Sequence, residues 1–476
     1  ACKAKDARCD GRSVGGGSST GKYGRAGCAA KRPREEKCVF YETAAGAEQA
    51  GYRRGRLCRR ESAPGSAPID ASSALVRKAA QLLEENCGSG QSIEEYAHRL
   101  GCSDRHLRRA FVAEYKVTPV QYLQTCRLLL AKKLLTDSGL PVLDVAMAAG
   151  FGSLRRFNDL FKKRYRLSPT ALRKQAVSAK AAGSEVTLTL GYRPPYQWEQ
   201  ILGFLAGRAI AGVEAVIGGE YLRTVRLAGS RQKDLYGWVC VAHRPKKNAL
   251  AVTISAALLP GLAQVLARVR NLFDLHCCPD AVEETLAVMN KIKPGLFVPG
   301  LRLPGCFEPF EMAVRAVLGQ QITVKAAGTL AGRIAAAYGT PLDTGIPGLT
   351  HAFPAAREFA DLGGEIAERL GPLGVIKTRA RTIQELARIM AEGEIDFATC
   401  AQPELEIKKL MAVPGIGAWT AHYIAMRAMG WPDAFPHADY GVKKALSPRT
   451  PDEILRLAEA WRPWRGYATV NLGNSL

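Results

Sequence analysis

The sequence predicts a multidomain, mainly α-helical protein with one α+β segment that contains an antiparallel sheet. At 476 residues the chain is too long for a single hydrophobic core. Apolar residues recur at helical spacing over most of its length, whereas alternating, strand-like runs are confined to the part between residues 186 and 254. Small-residue stretches at residues 62–68 and 176–184 indicate linkers. The predicted domains are residues 1–61, 72–175, 186–300 and 301–476.

Positive charge is concentrated in the first part of the chain. The formal net charge is +22. Residues 1–61 hold 15 Lys and Arg against 7 Asp and Glu, and residues 71–180 hold 19 against 9. This distribution predicts a nucleic-acid partner, the alternative being a basic surface that is merely well solvated.

Cysteine usage and hydropathy bear on the setting of the protein. Thirteen cysteines are scattered through a chain far longer than disulfide scaffolds, which favours a reduced, cytoplasmic environment. No run of about 18 apolar residues is present, so we expect no membrane partner.

Residues 1–61 are rich in Gly, Arg and Cys and poor in apolar periodicity. The segments KDARCDGR and TGKYGRAGCAAKRPREEKCVFY resemble the zinc-binding domain of adaptive-response methylphosphotriester repair proteins, a resemblance that implies four zinc-binding cysteines. Here Cys28 and Cys58 remain, whereas Gly24 and Gly55 stand in the other two positions, Gly24 at that of the methyl acceptor. Two thiolates do not close a tetrahedral site. We therefore expect a degenerate domain, a partly disordered basic arm, in which zinc is possible but disfavoured.

Residues 72–175 contain two units of helix, glycine turn and helix about 50 residues apart. The second helices begin after Ser103 and Ser153, which are suitable N-caps. The segment RFNDLFKKRYRLSPTALRK resembles the AraC-type transcription-factor DNA-binding domain. That resemblance implies base contacts near the start of each second helix, although a surface Arg is more often simply solvated. The candidate residues are Arg105, His106, Arg109, Ser153, Arg155 and Arg156.

Residues 186–300 alternate as a strand in VTLTLGY, pass through a helix predicted at residues 198–210, and return to strand-like runs. The segment YRPPYQWEQILGFLAGRAIAGVE is similar to the N-terminal domain of AlkA-type alkylation-repair 3-methyladenine glycosylases. Phe204 and Arg208 fall where that family lines the floor of its base pocket. The alternative for Phe204 is an ordinary core residue.

Residues 301–476 include Pro414-Gly415-Ile416-Gly417 directly before a helix. Two glycines at a helix N-terminus leave backbone N–H groups available to a DNA phosphate. Asp439 follows Gly417 by 22 residues. A phosphate-binding hairpin with an acid at this distance resembles the helix-hairpin-helix DNA glycosylases, in an all-α domain. The alternative for Asp439 is a helix N-cap.

Aromatic residues surround this acid in the sequence. Trp419 and Tyr423 share one helix face at positions i and i+4, and Tyr440 adjoins Asp439. Electron-rich rings bind a cationic alkylated base, and such a base leaves readily, so a single carboxylate suffices for its hydrolysis. These residues are the predicted base pocket.

A second DNA contact is predicted around PGLRLPGCFEPFEMAVRAVLGQQITVKAA, again close to the AlkA-type sequence. The resemblance implies that the turn at Gln320 and Gln321 enters the minor groove and fills the gap left by an extruded nucleotide. A helix cap is the alternative for these amides. Lys377 and Arg379 are candidate phosphate contacts.

Two absences refine the predicted chemistry. Glycosylases that also cut the strand use a lysine where this chain has Trp419, so lyase activity is not expected. No cysteine lies beyond Cys400, so no iron–sulfur cluster and no catalytic cofactor are expected. The segment AWRPWRGYATVNLGNSL begins as the last helix of the AlkA-type family does, but Gly473 and Asn474 stand where the resemblance implies aromatic residues. If those aromatic residues close the pocket, activity would be weakened.

The sequence thus predicts a monofunctional glycosylase that excises alkylated, 3-methyladenine-type bases and is fused to a sequence-reading module. The alternatives are a transcriptional regulator of the alkylation response with a weakened glycosylase part, and a plain basic nucleic-acid-binding protein. We expect double-stranded DNA, alkylated bases and promoter DNA as partners. The resemblance implies a monomer in the bacterial cytoplasm, associated with the nucleoid.

Overall fold

A computed structural model describes residues 14–24, 35–41, 44–54, 74–174, 184–228, 234–363, 365–397 and 403–476. The chain divides into two compact units. The first comprises residues 1–194, 227–270 and 275–277, and the second comprises residues 195–226, 271–274 and 278–476. Within the described residues, no helix is both long and apolar enough to cross a bilayer.

The described part of residues 14–54 is a folded sheet, not the basic arm expected from the sequence. Its four strands lie in the order β3-β1-β2-β4, and a small core of Val14, Tyr23, Ala44 and Ala47 packs beneath them. These few apolar residues suffice because the strands are short and one helix covers them. The elements are β1 (Val14–Gly17), β2 (Lys22–Gly24), β3 (Cys38–Tyr41), α1 (Ala44–Gln49) and β4 (Arg53–Arg54).

Residues 74–174 are entirely helical apart from their turns. Ser103 and Ser153 cap α4 and α7 as predicted, each accepting from a backbone N–H three residues on. The apolar faces of both helices are buried through Phe111, Phe157 and Phe161. The helices are α2 (Ala74–Glu85), α3 (Ile93–Arg99), α4 (Asp104–Tyr115), α5 (Pro119–Asp137), α6 (Val142–Ala148), α7 (Leu154–Tyr165) and α8 (Pro169–Lys174).

The strands between residues 185 and 255 pair in antiparallel fashion, as predicted. In the first unit β9 pairs with both β5 and β8, and in the second unit β6 pairs with β7. The helix predicted to reach residue 210 ends at Ala206, before Gly207, and β6 was not predicted. The elements are β5 (Glu185–Gly191), α9 (Trp198–Ala206), β6 (Glu214–Ile217), β7 (Glu220–Leu227), β8 (Leu235–Arg244), β9 (Ala249–Ser255) and α10 (Leu262–Leu272).

The remainder of the second unit is helical, with one two-residue strand pair that the all-α prediction did not include. Its central helix α12 is buried along almost its whole length. The elements are α11 (Pro279–Leu286), α12 (Pro309–Leu318), α13 (Val324–Tyr338), β10 (Thr340–Pro341), β11 (His351–Ala352), α14 (Ala356–Ala360), α15 (Ile366–Leu370), α16 (Lys377–Ala391), α17 (Pro403–Ala412), α18 (Ala418–Arg427), α19 (Tyr440–Ala445), α20 (Pro451–Ala458) and α21 (Arg465–Asn474).

Candidate active site and nucleic-acid interface

A hairpin joins α17 to α18 through Pro414–Gly417. Gly415 has φ +90°, and a Cβ added there would lie 2.2 Å from Oγ1 of Thr382. That hydroxyl donates to the carbonyl of Pro414 at 2.8 Å, so α16 supports the turn directly. Gly417 is the N-cap of α18 and offers no capping side chain. The first N–H groups of α18 therefore follow a turn in which Gly415 and Gly417 carry no side chain, which suits an anion.

Asp439 lies at the start of α19 and serves there as the N-cap. Its Oδ1 accepts from the backbone N–H of Gly441 at 2.8 Å. Its Oδ2 accepts from the indole Nε1 of Trp419 at 2.9 Å. The two alternatives considered from sequence, catalytic carboxylate and helix cap, are thus not exclusive. One oxygen is fixed by the helix terminus, and the other is held by the neighbouring aromatic helix.

The aromatic residues predicted around the acid occupy different positions. Trp419 and Tyr423 stack on each other, with ring centroids 5.4 Å apart and an interplanar angle of 11°. Tyr440 is 75% exposed at the rim. Because the Trp419 and Tyr423 rings face each other, a base cannot enter between them and must use their remaining surfaces.

Two guanidinium groups form what we call the charged floor, Arg208 and Arg427. Arg208 lies 3.7 Å above the centroid of the Phe204 ring, and Arg427 lies 4.8 Å from the same centroid. Phe204 is therefore covered by cations and does not itself line the cleft. Arg427 Nη1 donates to the hydroxyl of Tyr423 at 2.9 Å. Sequence reasoning missed Arg427, although it is four residues after Tyr423 on α18.

The charged floor changes the pKa of the neighbouring Tyr423. Burial alone would raise the pKa of Tyr423, but the positive charges of Arg427 and Arg208 lower that pKa below its ordinary value. Burial also lowers the pKa of Arg208. Tyr423 is consequently fixed both by stacking and by a charge-assisted hydrogen bond.

Beside the floor lies a largely buried group in which charges are balanced. Arg315 pairs with Glu214 and with Glu311, and Arg223 bonds Glu311 at 2.7 Å. Although burial opposes ionisation of Glu214, Arg315 and Arg223 lower its pKa. Arg315 also donates to the carbonyl of Arg208 at 2.8 Å. This cluster fixes the backbone that carries the floor.

The predicted wedge turn, residues 319–322, is tied to the hairpin. Gln320 Nε2 donates to the carbonyl of Gly415 at 2.9 Å and to Oγ1 of Thr420 at 3.0 Å. Arg379 donates to the carbonyl of Gln320. Gln321 is exposed and has φ +55°, a strained conformation for a residue with a Cβ. The tip side chain is thus Gln321, whereas Gln320 is a structural link.

Lys377 and Arg379 behave differently despite their proximity in the chain. Lys377 pairs with Glu365 at 3.0 Å and lies outside the cleft, whereas Arg379 lines it. Of the two predicted phosphate contacts, the structure therefore brings only Arg379 to the cleft.

These parts surround one cleft of about 1320 Å³ in the second unit. Among its lining residues are Arg208, Arg315, Gln320, Gln321, Arg379, Gly415, Gly417, Trp419, Tyr423, Arg427, Asp439, Tyr440, Lys443 and Gly473. Lys443, which sequence reasoning did not single out, is the one lysine among the described residues that line it.

The candidate base-reading residues of α4 and α7 lie on the surface of the first unit. Arg105, His106 and Arg109 are exposed, as are Arg155 and Arg156. The hydroxyl of Ser153 accepts a hydrogen bond from the backbone N–H of Arg156 at 3.2 Å. Ser153 therefore serves as the N-cap of α7.

The predicted metal ligands Cys28 and Cys58 lie outside the described residues, as does Gly55. Gly24 is the last residue of β2 and pairs with Gly15. Among the described residues no group of three or more His, Cys, Asp or Glu side chains is placed to hold a metal ion.

Comparison with known proteins accounts for the whole length of the chain. Family models match in four places: the metal binding domain of Ada at residues 1–61, a helix-turn-helix domain at 96–175, the AlkA N-terminal domain at 187–308, and the HhH-GPD superfamily of base excision DNA repair proteins at 314–451. A probable bifunctional transcriptional activator/DNA repair enzyme AlkA of Mycobacterium tuberculosis is 35% identical, covering 100% of this chain and 95% of that protein. The chain belongs to this family of AlkA-type bifunctional proteins.

The AlkA-type assignment is consistent with a second relative. DNA-3-methyladenine glycosylase 2 of Escherichia coli is 37% identical over 60% of this chain and 95% of its own length. A solved 3-methyladenine DNA-glycosylase from Archaeoglobus fulgidus aligns over 60% of this chain and 96% of its own with 20% identity and a TM-score of 0.48. The predicted fusion is confirmed, and the chain is a DNA glycosylase joined to a helix-turn-helix regulator.

Proposed function

We propose that this chain is a monofunctional glycosylase that excises alkylated, 3-methyladenine-type bases during base excision repair. The observation that carries the proposal is the Asp439 carboxylate in the cleft, held by the Trp419 N–H at 2.9 Å. The name of the Escherichia coli relative supports the choice of substrate.

The chemistry is hydrolysis of the N-glycosidic bond. The bond between C1′ and the base nitrogen breaks, and its electron pair leaves with the base and cancels the positive charge that alkylation placed there. Asp439 stabilises the oxocarbenium-like sugar by its negative charge and accepts the proton of the attacking water. The water oxygen bonds to C1′. No acid is needed for the leaving base, so one carboxylate is enough.

Base flipping supplies access to that bond. The start of α18, where Gly415 and Gly417 carry no side chain, suits one backbone phosphate, and Arg379 suits another. We infer that Gln321 fills the gap in the duplex; its exposure and its φ of +55° at the tip of the wedge turn support this role.

We propose that the enzyme does not cleave the DNA strand, because Trp419 stands where a lysine that forms a Schiff base would be. Lys443 lines the same cleft and is the amine to test. Borohydride should trap no covalent complex with DNA, in wild type or in Lys443→Ala. A trapped complex that disappears in Lys443→Ala would refute the monofunctional assignment.

The direct test is release of 3-methyladenine from methylated DNA by wild type and Asp439→Asn. We expect the substitution to abolish most release, since it removes the only negative charge invoked at the reacting sugar. Asp452→Asn, which removes an exposed carboxylate of α20 outside the lining set, is the matched control. Equal release by wild type and Asp439→Asn would disprove the mechanism.

A second function is favoured by the exposed arginines at the starts of α4 and α7. We propose that the chain binds promoter DNA as a monomer and regulates an alkylation response, as the name of the Mycobacterium tuberculosis relative suggests. Arg155→Ala and Arg156→Ala should each reduce sequence preference in a competition gel shift. Arg108→Ala is the control, because Arg108 already pairs with Asp104 at 2.7 Å. Retention of full preference in both test variants would contradict the assignment.

A further inference from the structure

One carboxylate in the first unit joins the N-terminal sheet to two helices of the helix-turn-helix domain. Glu48 lies on α1 and is only 7% exposed. Its Oε1 accepts from the hydroxyl of Tyr23 on β2 at 2.8 Å. Its Oε2 accepts from the hydroxyl of Thr125 on α5 at 3.1 Å and lies 3.6 Å from Nε of Arg164 on α7. Glu48 therefore contacts β2, α5 and α7 at once.

These contacts form a specific interface between the two domains. A buried carboxylate is costly unless its oxygens are hydrogen-bonded and its charge is paired. Tyr23 and Thr125 are themselves buried, so both hydroxyl donors meet Glu48 away from water. Beside them, Nε2 of Gln121 on α5 donates to Oε1 of Gln49 on α1 at 3.2 Å. In the same interface β4 lies against α7.

The position of Arg164 on α7 gives the interface a bearing on DNA recognition. Arg164 is in the last turn of α7, whereas the candidate base contact Arg155 is at its start. Buried Phe157 and Phe161 hold one face of α7 against the core, and Glu48 holds its end. Along the axis Arg155 lies about 14 Å from Arg164. A tilt of about 10° about the held end would move Arg155 by about 2 Å, enough to break a hydrogen bond to a base.

We propose that residues 14–54 support the helix-turn-helix domain in reading DNA, and that Glu48 is a positioning residue that fixes the angle of α7. The proposal rests on the proposed binding of promoter DNA by α4 and α7. It gives residues 14–54 a role that needs neither a bound metal nor a thiol at the position of Gly24.

The test measures the sequence preference of the full chain. A duplex that the wild type selects from a random-sequence pool is compared with a scrambled duplex of equal length by fluorescence anisotropy, and the preference is the ratio of the two Kd values. Glu48→Gln removes the charge that pairs with Arg164 but keeps an acceptor oxygen. Arg164→Met removes the cation from a partly exposed position, so it tests the same contact without altering a buried group. Lys163→Met is the matched control, because Lys163 is an exposed cation of the same helical turn.

We expect Glu48→Gln and Arg164→Met each to lower the preference by about fivefold, as for residues that act through one contact. The double variant should lose no more than the more affected single variant, because both substitutions break the same ion pair. Lys163→Met should change both Kd values by the same factor. Release of 3-methyladenine should be the same in all variants, since none of these residues lines the cleft.

Three results would overturn the proposal. The first is an unchanged preference in both Glu48→Gln and Arg164→Met. The second is losses that multiply in the double variant. The third is a fall of about one in the salt slope of binding with Arg164→Met, because Arg164 would then contact a phosphate directly. A wild-type chain that selects no sequence from the pool would refute promoter binding, and the proposal with it, so the two failures are distinguishable.

Discussion

Replacing Trp419 by Phe isolates one hydrogen bond of the proposed reaction centre. Phe keeps an aromatic ring to stack on Tyr423 but removes the N–H that lies 2.9 Å from Oδ2 of Asp439. A hydrogen bond to an ionised group contributes about 1.5–3 kcal/mol. If that bond orients the carboxylate for the transition state, its loss corresponds to a decrease of about 10- to 150-fold in the rate of base release.

The assay is single-turnover release of 3-methyladenine with enzyme in excess, so that product dissociation does not limit the rate. Tyr423→Phe is the comparison variant, because it removes a hydroxyl from the same stack without touching Asp439; since that hydroxyl accepts from Arg427, the folding of this variant is checked by thermal unfolding. In an Asp439→Asn background the Trp419→Phe substitution should have a much smaller effect, since the two residues act as a pair. If Trp419→Phe releases base at the wild-type rate while Asp439→Asn is inactive, the carboxylate does not depend on the indole and the reasoning fails.

Three further predictions concern stability. Gly415→Ala should destabilise the second unit by about 1–3 kcal/mol, because φ of Gly415 is +90° and the new Cβ would meet Thr382. Gly417→Ala is the control and should change the thermal midpoint little, because Gly417 lies in extended backbone with open space around it. Between pH 8 and pH 5 the free energy of unfolding should fall by about 2 kcal/mol on account of His276, and His276→Gln should remove that part of the pH dependence. Burial lowers the folded-state pKa of His276 to about 3 and Arg270 adds to this, so the unfolded state takes up the proton first and stability is lost as pH falls below the unfolded value. Glu48→Gln should weaken the attachment of α1 to α5 by about 1–3 kcal/mol, because one carboxylate accepts from Tyr23 at 2.8 Å and from Thr125 at 3.1 Å, and limited proteolysis should then cut the segment faster. An unchanged cleavage rate would contradict this.

Local spacing was enough to predict part of the site. The positions of Trp419 and Tyr423 at i and i+4 predicted that they share one helix face, and in the structure their rings are stacked. The sequence also predicted the serine caps of α4 and α7, because N-capping depends on residues within one turn.

Features that depend on distant partners could not be predicted in this way. Arg427 is fixed by the carbonyls of Pro304 and Gly305, 123 and 122 residues earlier in the chain. Phe204 was expected to line the pocket floor, but nothing in its own segment indicates that Arg427 shares the ring with Arg208. The folding of residues 14–54 was underestimated for a similar reason, since its small core joins Val14 to Ala47 across the segment.

The hydrogen bond from Gln320 Nε2 to the carbonyl of Gly415 links two turns that we propose to contact the DNA. The hairpin that we propose to bind a phosphate and the turn that we propose to enter the minor groove are joined, so the distance between them is set before any duplex arrives. A straight, stiff duplex that does not match this distance must bend, and the energy required depends on how easily its base steps deform. Damaged or mismatched pairs stack less well and bend more readily. On the proposed mechanism, the enzyme would begin to discriminate by the stiffness of the duplex, before any base has reached Asp439.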